Sequence, residues 1–128
     1  MTAAPHTIGR DQPLSRASEL FRKYHIRHLP VLEGGRLVGL LSDRDVAMVA
    51  NLKDVDPNQV EVGEAMSQDV FTIEPKTPLD QVVADMARHK YGSALIAQHG
   101  KVLGVFTTVD ALRALEELLR RERDATGL

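Results

Sequence analysis

Residues 39–46 read Gly39-Leu40-Leu41-Ser42-Asp43-Arg44-Asp45-Val46, and 65 residues later the chain reads Gly104-Val105-Phe106-Thr107-Thr108-Val109-Asp110-Ala111. The shared pattern is a short apolar strand running into a hydroxyl residue, with an acid three positions on. The same offset, with no gap, lays Thr7-Ile8 on Thr72-Ile73, Pro13-Leu14 on Pro78-Leu79, Gly35 on Gly100 and Gly39 on Gly104. Apolar positions keep the register: Val31 falls on Ile96, Leu37 on Val102, Val38 on Leu103 and Leu40 on Val105. Turns, helix starts and core positions coincide, so the chain reads as one structural unit duplicated in tandem. It divides into residues 1–60, with a short tail and a linker, and residues 61–128, with an extended last helix.

Within each half the pattern alternates between strand and helix periods. Residues 1–6 read as a loose tail and Thr7-Ile8 as a short strand. Pro13 suits the first position of a helix, and Leu14, Ala17, Leu20, Phe21 and Tyr24 recur at helical spacing. Two strands follow, at 28–32 and 36–41, and Gly34-Gly35 between them is a hairpin signal. Pro30 cannot donate to a ladder, which suggests a strand start or an edge. A second helix spans about 43–50. After turn residues around Asp56-Pro57 the unit repeats. A helical turn at 62–66 precedes a strand at 70–73. Thr77-Pro78 opens a helix with Leu79, Val82, Val83 and Met86 as its apolar stripe. A hairpin turns near His99-Gly100. In the last helix, about 109–123, Leu112, Leu115, Leu118 and Leu119 are expected to face the core, while Glu116–Arg120 and Glu117–Arg121 are spaced for i,i+4 ion pairs. The fold class is therefore α/β in the α+β sense, with two β-α-β-β-α repeats.

With 128 residues, each half alone is marginal, and together they can bury a reasonable interior. The formal net charge of −2, with both signs interspersed, argues against a nucleic-acid surface. No cysteine is present, which removes disulfides, thiolate metal sites and a thiol nucleophile. The histidines lack the spacing of a designed metal site. Neither a nucleophile elbow, a Walker loop nor a dinucleotide fingerprint occurs, so catalysis is not expected. No basic, apolar leader and no run of roughly 20 apolar residues is visible. The expectation is a cytoplasmic, non-enzymatic protein with no membrane partner.

The segment His25-Ile26-Arg27-His28-Leu29-Pro30-Val31, the two Gly-h-h-(Ser/Thr)-x-x-Asp stretches (h for apolar), and Val62-Gly63-Glu64-Ala65-Met66 leading to Val70-Phe71-Thr72-Ile73 together resemble a tandem cystathionine-β-synthase (CBS) domain pair, or Bateman module, over about residues 7–115. The resemblance implies two repeats related by a pseudo-twofold axis, with two clefts between them. Such clefts often hold adenine nucleotides of the AMP, ADP or ATP class, sometimes NAD or S-adenosylmethionine, and no cofactor is required. It also implies association of two modules into a flat disc-shaped homodimer, and regulation of a client protein whose identity the sequence does not give.

Ser42 with Asp45, and Thr107 with Asp110, carry two readings. A hydroxyl N-cap with an acid at N3 starts a helix whether or not anything binds. An aspartate can also accept from both hydroxyls of a ribose, and the resemblance favours that role. It further implies that Arg27, His28 and Arg44 reach phosphates, and that Thr7, Ile8, Thr72 and Ile73 line the clefts beside an adenine. The second copy has Gly92-Ser93 in place of Arg27-His28 and Val109 in place of Arg44, so its cleft lacks those basic groups. The first copy departs from the family pattern in lacking the leader ending in Met66 that precedes the second. Two functions stand open: a nucleotide-binding regulatory module, or a ligand-free interaction scaffold with the same fold.

Overall fold

The computed structural model describes residues 2–3 and 6–126. The first half contains strands β1 (Thr2–Ala3), β2 (Ile8–Gly9), β3 (His28–Glu33) and β4 (Arg36–Ser42), with helices α1 (Leu14–Tyr24) and α2 (Asp43–Ala50). The second contains α3 (Val62–Ala65), β5 (Thr72–Ile73), α4 (Leu79–His89), β6 (Ser93–Gln98), β7 (Lys101–Thr107) and α5 (Thr108–Thr126). Strands β2, β3 and β4 form one sheet, and β1, β7, β6 and β5 the other.

The duplication is exact enough to repeat irregularities. Each hairpin shifts register once, between Val31 and Leu32 and between Ile96 and Ala97. Both turns have two consecutive positive-φ residues, Gly34-Gly35 and His99-Gly100, the geometry that matches the twist of the flanking strands. Helices α1 and α4 both end on a left-handed residue that is not glycine, His25 at φ 53° and Lys90 at φ 59°. Pro13 and Pro78 are N-caps with extended ψ, one position earlier than expected.

What joins the halves is an exchange of leaders. Strand β1 pairs antiparallel with β7, Thr2 opposite Val105. Ser67 lies opposite Leu40 of β4 and exchanges two backbone hydrogen bonds with it, both 2.9 Å. Thr2 and Ser67 are themselves 65 residues apart, as are Leu40 and Val105, so the crossings are pseudo-symmetric partners. Two expectations change here. Thr2–Ala3 is a strand rather than part of a loose tail, and it occupies the place of the leader that seemed missing from the first copy. Residues 4–5 lie outside the described residues. Helix α3 also belongs spatially to the first half: Val62 sits in its core, and the Val62 and Gly63 amides donate to Gln12 and Arg10 carbonyls at 2.8 and 2.9 Å.

Pro30 lies inside β3, with β2 on one side and β4 on the other, not at a start or an edge. Leu40, opposite it, turns both backbone groups outward to Ser67, so Pro30 and Leu40 form a non-hydrogen-bonded pair. On the other side β2 begins pairing only at Val31, and no donor is missed. In the second copy Leu95 stands there and its amide donates to the Phe71 carbonyl at 2.9 Å.

Two apolar clusters form the interior. Leu14, Ala17, Leu20 and Phe21 of α1 pack with Leu29, Val31, Leu41 and Val46; Val82 and Met86 of α4 pack with Ala94, Ile96 and Phe106. Tyr24 and Leu79, expected in the apolar stripes, are exposed. The larger correction concerns α5. No residue of it is buried, and Leu112, Leu115, Leu118 and Leu119 are 50–61% exposed. Helix α5 packs on the second cluster through Ala111 near its start, and none of its side chains is buried among the described residues. The two ion pairs expected on it, Glu116–Arg120 and Glu117–Arg121, are present.

At Gly39 a Cβ would lie 2.5 Å from the Met66 Sδ and 2.8 Å from the Ser67 carbonyl oxygen. The thioether can swing away; the backbone oxygen is held by the crossing itself. Gly39→Ala is expected to lower stability by about 1–3 kcal/mol in urea unfolding. Gly92→Ala, where a Cβ meets nothing within 4 Å, is expected to stay within about 0.5 kcal/mol of the parent.

Candidate functional site

Ser42 ends β4 with an extended backbone, φ −106° and ψ 162°, and caps α2. Its Oγ accepts from the Asp45 amide at 3.1 Å, and the Asp45 Oδ2 accepts from the Ser42 amide at 2.9 Å. Thr107 and Asp110 do the same at the start of α5: the Asp110 amide donates to the Thr107 Oγ1 at 3.3 Å, and the Asp110 Oδ2 accepts from the Thr107 amide at 2.8 Å and its hydroxyl at 3.1 Å. The structural reading of the motif is thus realised in both copies. Each cap satisfies amides at a helix start that would otherwise lack partners.

The caps also face a common space. A cleft of about 670 Å³ opens between the halves, and both Ser42 and Thr107 line it. This depression is reached by both helix starts. A backbone bond sets each wall: the Asp43 amide donates to the Arg27 carbonyl at 3.0 Å, and the Thr108 amide to the Gly92 carbonyl at 3.1 Å. Each ties the loop after α1 or α4 to the helix that follows the hairpin. The first wall therefore presents Arg27, His28 and Arg44, and the second Gly92, Val109 and Asp110.

Of the residues singled out in the sequence, Arg27, His28, Ser42, Arg44, Thr107 and Asp110 come together on this cleft. Asp45 is half-buried behind it, held to Ser42. Thr7, Ile8, Thr72 and Ile73 are not brought to it. Ile8 belongs to the first core and Thr7 is exposed beside a separate depression near Arg10 and Glu33. Ile73 packs against the second core, and Thr72 is exposed. The physical reason is alternation along extended chain: successive side chains point to opposite faces, and Ile8 and Ile73 are claimed by the cores.

The cleft is also lined by residues not singled out in the sequence, among them His6, His25 and Arg113. Arg113 was legible in principle, because a residue three positions after Asp110 shares its helix face. His25 is the left-handed end of α1 and carries no pattern of its own. His6 stacks on Tyr24, ring centroids 3.7 Å apart, a long-range contact that no local pattern encodes. Among the described residues, no group of three or more His, Asp or Glu is placed to hold a metal ion.

His28 is the group on the cleft whose titration is clearly displaced. Burial lowers its pKa below 6.5, against the raising influence of Asp43 and Asp45 and with a smaller lowering from Arg27. The folded state thus holds fewer protons than the unfolded chain between the lowered value and 6.5, so stability rises with pH across that window. The contribution is complete above 6.5 and is lost as pH falls through the lowered value. In His28→Asn, the acid-side decline of thermal midpoint below pH 6.5 is expected to be shallower than in the parent when both are followed from pH 8 to 5.

The family model of the CBS domain matches residues 1–51 and 62–117. Hypoxic response protein 1 of Mycobacterium tuberculosis is 25% identical over 118 residues, covering 91% of this chain and 82% of that one. The AcuB protein of Vibrio cholerae superposes with a TM-score of 0.82 at 26% identity, covering 97% of this chain and 92% of that one. Two further CBS structures share the fold. CBSX2 in complex with AMP has a TM-score of 0.78 at 22% identity, covering 92% of this chain and 93% of that one. The CBS pair of MJ0100, in complex with 5-methylthioadenosine and S-adenosyl-L-methionine, has a TM-score of 0.78 at 23% identity, covering 91% and 92%. The doubled sheets, the two capped helix starts and the match over both halves make this chain a member of the CBS domain family, with its two copies forming a CBS pair.

Proposed function

We infer that this chain is a non-catalytic regulatory module that binds an adenosine-containing nucleotide between its two repeats. The observation that carries the reading is the single cleft onto which both Ser/Thr-x-x-Asp helix starts and three arginines open. A ribose diol suits a carboxylate that can accept two hydrogen bonds, and phosphates suit guanidinium groups. That the same fold holds AMP in one relative and S-adenosyl-L-methionine in another supports the ligand class. A ligand touching both repeats favours one relative arrangement of them, and that arrangement is the signal. The module acts in the cytoplasm on a client protein.

The decisive measurement is thermal shift against AMP, ADP, ATP, NAD and S-adenosylmethionine, beside GTP. Asp110→Asn keeps the shape of the side chain and removes its charge. It is expected to weaken the binding ligand by about 10- to 150-fold, the loss of one charge-assisted interaction of about 1.5–3 kcal/mol. Unchanged binding in that variant would overturn the ribose assignment. Absence of any shift in well-folded protein would favour the scaffold reading, because a ligand that binds only the folded state must stabilise it.

The exposed leucines of α5 support a homodimer. A stripe of four leucines on one helix, each at least half exposed, is the kind of surface that monomers rarely leave open, and a second copy of the same helix face is its simplest cover. Light scattering is expected to give a dimer for the parent and a monomer for the double variant Leu115→Glu, Leu119→Glu. A monomeric parent would remove the dimer from the reading.

A further inference from the structure

We propose that the cleft holds one nucleoside polyphosphate per chain, with Arg113 of the second repeat closing on its phosphate chain from the wall opposite Arg27 and Arg44. This rests on the nucleotide reading above and specifies its ligand further.

The argument starts from what the two copies do not share. At the 65-residue offset, Arg27 corresponds to Gly92, Arg44 to Val109, and Arg113 to Met48. Every arginine on the cleft thus lacks a basic counterpart in the other copy. The backbone frame is pseudo-symmetric, down to the paired Asp43–Arg27 and Thr108–Gly92 bonds. The charge on it is not. A symmetric cleft would serve two similar ligands; this one has two guanidinium groups on the first wall and one on the second, across a single space.

These arginines are also uncommitted. Arg10, Arg16 and Arg121 pair with glutamates at 3.2, 3.0 and 2.6 Å, and Arg120 with Glu116. Among the described residues, the side chains of Arg27, Arg44 and Arg113 make no ion pair, although Asp43 and Asp110 share their cleft. Asp110 is turned to its cap, accepting from Thr107. Three guanidinium groups that make no ion pair among the described residues, and reach one space from two repeats, suit an anion long enough to touch both walls. A chain of two or three phosphates has that reach and offers an acceptor group to each arginine. Opposite the first wall, Gly92 has open space where a Cβ would stand, and Val105 and Val109 add apolar surface. That leaves room on the second wall for the uncharged end of the ligand.

The test is isothermal titration of the full chain with AMP, ADP and ATP, and with inorganic tripolyphosphate and orthophosphate as probes of the anion site alone. The variants are Arg113→Gln and, as a control on the exposed helix away from the cleft, Arg121→Gln. The expected result is one ATP per chain, with ATP binding at least about tenfold tighter than AMP. Arg113→Gln should reduce ATP affinity by about tenfold, the worth of one charge-assisted contact, while AMP affinity stays within about twofold. Arg121→Gln should change neither. Equal affinity for AMP and ATP, two nucleotides per chain, or an unchanged ATP-to-AMP ratio in Arg113→Gln would each overturn the clamp and leave the adenosine reading standing. Tripolyphosphate binding without any nucleotide binding would keep the anion site and sink the adenosine reading. Binding of neither would end both.

Discussion

The close crossing of the Met66–Ser67 segment over Gly39 is the constraint on which the remaining geometry depends. It brings the leader of the second copy onto the sheet of the first, as Thr2–Ala3 is brought onto the sheet of the second. The first core takes in Val62 from beyond the linker, the second sheet takes in β1 from the first half, and Ser67 of the second half bridges to β4 of the first sheet. The exchange holds the two hairpins at a fixed mutual orientation through main-chain hydrogen bonds, which are indifferent to side-chain identity. That orientation is what sets the starts of α2 and α5 on the same cleft. A side chain at position 39 would push the Ser67 carbonyl away and loosen the wall with it.

The helix starts are closed by their own side chains. Asp45 and Asp110 each commit an oxygen to a backbone amide within their cap, so their carboxylates are held in one orientation before any ligand arrives. Ordering a side chain in advance removes part of the entropy that binding would otherwise lose. The cap is therefore compatible with the proposed binding role. His28, the first residue of β3 and opposite Ser42, has its pKa lowered by burial and adds a polar group to the first wall without adding charge at neutral pH.

Much of this was legible in the sequence. The offset of 65 residues found the duplication, the hairpins at Gly34-Gly35 and His99-Gly100, and both capping pairs, because each depends on local chemistry of a few adjacent residues. What was not legible depends on contacts between distant segments. Thr2–Ala3 has no local strand signal, and only its partner β7 makes it a strand. Pro30 looked like an edge residue because the sequence cannot say that Leu40 turns its hydrogen bonds to Ser67. The leucines of α5 looked like core because periodicity reveals that a helix has an apolar face, not what covers it. Thr7-Ile8 and Thr72-Ile73 were placed beside a ligand by resemblance, and strand alternation gave Ile8 and Ile73 to the interior.

The separation between buried frame and open cleft bears on how such a protein can change over generations. The positions of the cleft arginines and of their counterparts, 27, 44, 48, 92, 109 and 113, belong to neither core, and all are exposed. Substitution there leaves packing intact, so the charge of the cleft can change without refolding the molecule. Once the unit had doubled, each copy became free to lose what the other retained. The present cleft reads as the outcome of that division of labour, with the charge divided unequally between the walls and an unaltered scaffold beneath them.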